Sequence, residues 1–390
     1  MLKRLCLLLL LVQHCALATE WDTRLRAQER AERASGSALF PAESGQSQFA
    51  ALDLGVKSQG IGLAATAWYQ NQGSGSDADL ELAELFYDFS IDDWFVSAGK
   101  KKLDWGVGYG FRPLDLFSPT DPLALYTSVA PGSWQLSADR FDDDGNWTWV
   151  CNQSRPYYHA PGRQPQGNGC GLRRYSDLGG WELQYLAHYD SKLKWRLGGS
   201  AVTVLSDRLE FHGSLLWQQA YQVADFHPER LAADTFINPV VSADKRGAWQ
   251  GLVGLNYSTD WGATLILEYW YDGRSPSDRD WKEMLARPGQ ASPFRAYQLM
   301  AERQMFASQN LFRNTLMLHL RSSGEHWRPE LTMLLDPIDK GLSIHGKVCY
   351  YFASGDKLEL GAKHYLGAAD SVYRQLDFET TYYLGVELVF

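Results

Sequence analysis

The sequence lacks the features that would place it among the commonest protein classes. Past its first residues, the 390-residue chain holds no unbroken apolar run of the roughly 18 residues that a membrane-crossing helix needs. Positive charge is scarce: 37 Lys and Arg stand against 46 Asp and Glu, for a net charge of −9. That excludes the basic face on which a nucleic-acid partner depends. Only 5 cysteines are present, too few for a disulfide-built fold of this length. Catalytic signatures are missing as well. Gly73-Ser74-Gly75-Ser76-Asp77 reads as a flexible loop and not as a G-x-S-x-G elbow. The histidines show no H-E-x-x-H spacing, and no phosphate loop, dinucleotide fingerprint or calcium loop occurs. A Ser-His hydrolase would have to use His188, His212 or His345 with Ser214 or Ser343, and no triad is visible among them. No enzyme activity, metal or cofactor is expected.

The amino-terminus reads as a secretory signal, with Lys3 and Arg4, an apolar stretch from Leu5 to Val12, and Ala16-Leu17-Ala18 as cleavage site. Val12-Gln13-His14 before Cys15 is a poor lipobox, so cleavage after Ala18 without a lipid anchor is expected. Losing Lys3 and Arg4 makes the mature chain more acidic still. Cys151 and Cys170 flank a Gly/Pro/Arg-rich stretch and are expected to pair in an oxidising envelope, two separate thiols being the alternative. Cys349 falls inside a strand and is expected to pack there.

What the chain has in quantity is aromatics, 15 Trp and 20 Tyr, and segments that alternate with period two. Residues 60–70, 80–89, 181–190, 208–219 and 342–353 each put an apolar row on one face and a mixed row on the other. Similar segments lie near 46–56, 94–102, 134–141, 146–152, 193–204, 247–258, 262–271, 311–320, 327–335 and 357–366. In 272–310, Ser292-Pro293 predicts a helix over 294–310 with Phe294, Tyr297, Ala301 and Met305 on one stripe, and a shorter helix covers 280–286.

The carboxy-terminal TTYYLGVELVF places Tyr382, Leu384, Val386 and Leu388 on one face and Glu387 on the other. It resembles the terminal signal strand of Gram-negative outer-membrane β-barrels, which ends in Phe behind alternate hydrophobics. The expected fold is therefore all-β: a transmembrane antiparallel β-barrel of about 16 strands (14–18), with a lumen-folded loop and short helices in external loops. The barrel is placed over 46–390, after the signal (1–18) and a segment (19–45) in which 22–31 offers a possible extra strand. With Phe390 in the periplasm, 221–246 and 272–310 face outward as they should. However, 103–133 and 152–180 fall on the inner side, so one strand in the first half is miscounted.

Residues 99–117 read GKKKLDWGVGYGFRPLDLF, in which glycines free the backbone for tight bends. Irregular backbone at membrane depth is tolerated only inside protein or against water, so 103–122 is expected to fold inward and constrict the lumen. Lys101, Trp105, Tyr109, Phe111, Arg112 and Asp115 would form that constriction, with Arg112 and Asp115 paired to wall charges. Glu84, Glu182, Lys194, Arg196, Glu210, His212, Glu268, Lys347 and Glu387 would line the wall. The Gly-basic strand, Trp-Gly and Phe-x-Pro-x-Asp turn resemble porin-like and alginate-export-type single-chain barrels. That resemblance implies passage of a solute or polymer through the outer membrane. It also implies contact with membrane lipid and with the barrel-assembly machinery through the strand ending at Phe390. The mixed lumen charge departs from an arginine-rich polyanion channel. The other readings are a non-conducting docking barrel of an envelope assembly and a lipid-modifying enzyme.

Overall fold

The computed structural model describes residues 20–40, 43–72, 75–117, 131–154, 164–232, 235–286, 293–308 and 310–390. The expected cleavage site after Ala18 lies outside them, as do residues 118–122 of the expected constriction and Ser292.

The strands are β1 (Glu20–Ala34), β2 (Gly45–Ser58), β3 (Ile61–Gln72), β4 (Gly75–Ile91), β5 (Trp94–Lys101) and β6 (Ser133–Asp142). They continue with β7 (Gly145–Asn152), β8 (Gly169–Leu178), β9 (Trp181–Asp190), β10 (Lys194–Ser206), β11 (Leu209–Phe226) and β12 (Val240–Ser258). The last are β13 (Ala263–Asp272), β14 (Asn314–Ser322), β15 (Trp327–Leu335), β16 (Leu342–Tyr351), β17 (Lys357–Leu366) and β18 (Phe378–Val389). Every strand pairs antiparallel with its neighbours in sequence, and β1 closes the ring by pairing with β18 as well as β2. Leu25 lies opposite both Leu388 and Leu52. Closure removes the free sheet edges that a membrane would not tolerate.

The faces follow from alternation. Trp149, Tyr185, Trp195, Trp249, Leu360 and Leu384 point outward and are exposed, whereas Gln135, His188, Gln218, Gln250 and Glu268 point inward and are buried. An apolar exterior around a polar interior is the arrangement that lipid outside and water or packed polar groups inside select. No helix among the described residues is long and apolar enough to cross a membrane.

The strand number is 18 and not about 16. The two missed strands are β1 and β8. The outward row of β1 is broken by Glu29 between Ala27 and Ala31, and β8 carries Arg173 and Arg174 side by side after two glycines, so neither shows a clean apolar row. Restoring β8 resolves the orientation conflict. The connections 102–132, 153–168, 227–239 and 273–313 now share one end of the barrel. At the other end, 59–60, 92–93, 143–144, 179–180 and 207–208 are two-residue turns. Gly179 and Gly180 have φ of 61° and 85°, the left-handed pair that matches hairpin twist.

One bulge has large consequences. Ala64 pairs with Glu84 and Ala65 with Leu82, leaving Ala83 as the extra residue of β4. Unbroken alternation over 80–89 would put Ala83 in one row with Leu85 and Tyr87; it is instead the residue that shifts the phase. Leu80, Leu82, Leu85 and Tyr87 all face outward because of it, and Asp77, Asp79, Glu81, Glu84 and Asp88 all face the lumen.

At the long-loop end, α1 (Asp278–Leu285) begins at a capping box made by Ser277 and Asp280. The expected 294–310 helix is shorter: α2 (Arg295–Glu302) runs into a 3₁₀ turn, Arg303–Ala307. Its buried stripe also differs from the expected one. Ala301 and Met305 are buried, but Tyr297 is exposed, and Glu302 is buried against Arg295 at 3.1 Å. The helices pack with Leu39, Phe312, Val372 and Tyr373 into an apolar cap continuous with Phe111 and Trp270 in the barrel.

Candidate functional site

The connection after β5 carries the candidate site. From Lys102 the backbone crosses the lumen toward β13 and β14, and its side chains explain why it stays there. Trp105, Leu114 and Phe117 cluster with Val150, Leu186 and Leu216 of the wall. Trp105 meets Phe117 edge-on at 5.5 Å and lies under the Arg173 guanidinium at 5.6 Å. Phe111 packs 5.9 Å from Trp270. Gly110 is required by proximity, since a Cβ there would come within 2.5 Å of Met317 Sδ and 2.8 Å of Trp270.

Glu268 makes the decisive polar contact. Its carboxylate accepts from Tyr109 N–H at 2.6 Å and Gly110 N–H at 2.9 Å, while His212 Nε2 sits 3.0 Å from Oε1. A buried carboxylate is tolerable only with such donors, and irregular backbone inside a barrel needs such an acceptor. Each satisfies the other. Beside this anchor, the Tyr109 ring lies 4.3 Å from His319 and the residue remains 46% exposed.

Arg112 and Asp115 do not reach the wall, contrary to expectation. Arg112 pairs with Asp115 at 3.0 Å and with Asp104, all within the loop. Asp115 Oδ1 also accepts from Trp105 N–H at 2.8 Å and Gly106 N–H at 2.6 Å. Burial pushes the Asp115 carboxyl up to about 6 against the pull of Arg112. The phase of the Pro113 turn brings these residues together locally, which spacing alone does not reveal.

A second connection braces the first. Gln166 donates to Leu116 O at 3.2 Å, and Gln164 exchanges two 2.8 Å bonds with the Gln222 backbone. Its ends are tied by the Cys151–Cys170 disulfide, and Cys349 is free and buried.

The remaining expected wall residues divide by location. Lys101 reaches Asp88 at 2.8 Å, and Glu84 accepts from Lys102 N–H at 2.8 Å, so both lie at the loop's origin. Arg196 is buried against His188 at 3.0 Å, and Glu210 lies 3.8 Å from His212. Lys347 bridges Glu330 at 3.2 Å and Glu359 at 3.7 Å; Lys357 bridges Glu359 at 3.6 Å and Glu387 at 3.3 Å. Two residues stay away from the loop. Lys194 is folded back onto Ser191 O at 2.7 Å, and Glu182 is exposed near the short-turn end. Sequence reasoning missed Arg26, paired with Asp53 at 2.7 Å, because β1 was left outside the barrel. It also missed Glu330, the partner of Lys347. No group of three or more His, Cys, Asp or Glu among the described residues is arranged to hold a metal.

At the outer rim, a cavity of about 240 Å³ opens between α1 and the connections around Asp336 and Val372. Trp281, Phe312 and Ile338 give it apolar walls, and Asp278, Asp336, Asp339 and Asp370 give it acid. Burial, with Asp339 and Asp278 adding to it, pushes the Asp336 carboxyl up to about 6.

No protein-family model and no curated protein matches the chain. Solved structures do. Acinetobacter baumannii OccAB1 shares 8% identity over 96% of this chain and 97% of that one, with a TM-score of 0.60. Pseudomonas aeruginosa OpdQ shares 8% over 96% and 99%, with 0.57. Pseudomonas aeruginosa OccK8 (OprE) shares 9% over 96% and 98%, also with 0.57. These are outer-membrane porins, and at such identity the likeness is one of fold: a porin-like closed barrel along nearly the whole chain.

Proposed function

We propose that this protein is an outer-membrane channel through which a solute passes, in a lumen narrowed by the loop 102–117. One observation carries the reading: a loop held across a water-compatible lumen by backbone donors to Glu268, with an exposed tyrosine and a charged wall left beside it. A barrel that only filled its interior would need no exposed aromatic there, nor the ion-paired face of β15–β18. Passage of a small solute fits better than passage of a polyanionic polymer, because the lumen charge is mixed to acidic. Maturation by cleavage after Ala18 belongs to the same reading, with the mature chain forming one barrel from β1 onward. So does recognition of the terminal strand ending at Phe390 by the barrel-assembly machinery.

The brace from Gln164 and Gln166 and the apolar rim cap favour one competing reading, a non-conducting barrel that serves as a docking component of an envelope assembly. Planar-bilayer recording of the purified protein separates the two. The channel reading expects discrete open-channel steps in the wild type and larger steps after deletion of residues 104–117. Silence from both proteins would establish the docking barrel instead.

A further inference from the structure

We infer that the lumen face of β4 sets the charge preference of the channel, and that the solutes it favours are cations. This rests on the channel reading and adds a sign to it.

The argument begins with the bulge. Residues three apart on a regular strand face opposite sides, so Glu81 and Glu84 could not both line the lumen. The extra residue Ala83 brings them into one row, and a single column of carboxylates then descends the wall: Asp77, Asp79, Glu81, Glu84 and Asp88. The register confirms the face. Asp77, Asp79 and Glu81 lie opposite Gln70, Trp68 and Thr66, and Thr66 donates to the lumen carboxylate Asp53 at 2.7 Å.

What distinguishes this column is that four carboxylates of one row lack a counter-charge. On β15–β18 each carboxylate has a lysine or arginine within 3.7 Å. On β1 and β2, Arg26 and Asp53 neutralise one another at 2.7 Å, and Arg24 is held by Asp22 at 3.0 Å. In the column, Asp88 alone has a cation, Lys101 at 2.8 Å. Asp77 and Asp79 accept only from the N–H groups of Ala78 and Leu80, and Glu84 from that of Lys102. Among the described residues, no Lys, Arg or His forms an ion pair with Asp77, Asp79, Glu81 or Glu84. Carboxylates of one sign on a concave wall of low dielectric concentrate their field in the enclosed water and raise the local level of cations. The column starts at the outer end of the strand, where it would meet an incoming solute. The acidic cavity at the rim repeats the sign there.

The test is the reversal potential of the purified full-length protein in planar bilayers under a KCl gradient, repeated with choline chloride as the organic cation. The wild type should pass K⁺ over Cl⁻ by a factor of about five or more, and choline should carry measurable current. The triple variant Asp77→Asn, Asp79→Asn, Glu81→Gln should lose about two-thirds of that preference with little change in conductance. Glu29→Gln, on the outward face of β1, should leave it alone. If the triple variant does not fold, as judged by strand circular dichroism, Asp79→Asn alone at this exposed position should still lower the ratio. A conducting wild type that prefers chloride, or a ratio unmoved by these variants, overturns the inference and leaves the channel reading standing. Absence of any current overturns both.

Discussion

Two halves of the same wall use the same residue types for opposite ends. Under the loop, from β7 to β14, the key inward charges are engaged: Glu268 by two backbone N–H groups and His212, Arg196 by His188. On the other half, from β15 round to β5, they stay in contact with the open lumen. There they are paired in a ladder on β15–β18 and, apart from Asp88, unpaired on β4. Glu268 and Glu81 look alike in sequence, each an inward glutamate on an alternating strand. One fixes a loop and the other, on our reading, shapes a field. The difference is set by what the loop covers, so the function of a lumen charge in this fold is decided by a segment far away in the chain.

The sharpest way to break the contrast is Glu268→Ala. It strips acceptors from Tyr109 N–H and Gly110 N–H and a partner from His212, and should cost the docked loop about 2–4 kcal/mol. The covered half would then open like the other. We expect single-channel conductance to rise and the loop near Val107 to become cleavable by protease, while the barrel's strand signal is retained. Unchanged conductance and protection would mean that apolar packing alone holds the loop.

A smaller effect on the same half is expected from Gly110→Val. The added carbons meet Met317 and Trp270, which lie 2.5 Å and 2.8 Å from the position of a Cβ, and overpacking of this kind costs about 1–3 kcal/mol. The loop tip should shift without detaching, with more open-channel noise and a lowered thermal midpoint. A variant as quiet and stable as the wild type would show that the tip is loosely seated.

How much of this was legible beforehand depends on whether a feature is written locally. The terminal strand was read correctly down to its faces, with Tyr382, Leu384 and Val386 outward and Tyr383 inward, because alternation is a property of neighbouring residues. The inward loop was legible too, since Trp105-Gly106, Gly108 and Gly110 leave the backbone no regular strand to join. Its partners were not. Glu268 is 158 residues from Gly110, and nothing in either segment marks them as a pair. Arg112 and Asp115 were assigned to the wall when the turn at Pro113 folds them onto each other. β8 was lost because Arg173 and Arg174 obscure its alternation, and the Ala83 bulge was invisible because a one-residue slip leaves composition unchanged.

The smallest effect is expected on the open half, and its size is the point. Lys347→Met removes the cation shared by Glu330 and Glu359, in a ladder whose side chains are about a quarter exposed or less. Partly hydrated pairs of this kind contribute about 1 kcal/mol or less each, and Met keeps the aliphatic packing, so the thermal midpoint should barely move. The charge balance should move more. Glu330 would join the β4 column in the open half, while Glu359 keeps Lys357 at 3.6 Å, and the preference for K⁺ over Cl⁻ should rise while conductance changes little. Should the variant instead unfold or lose its open steps, the ladder would be structural in the way Glu268 is. The division between a wall half that holds the loop and a half that faces the solute would then have to be given up.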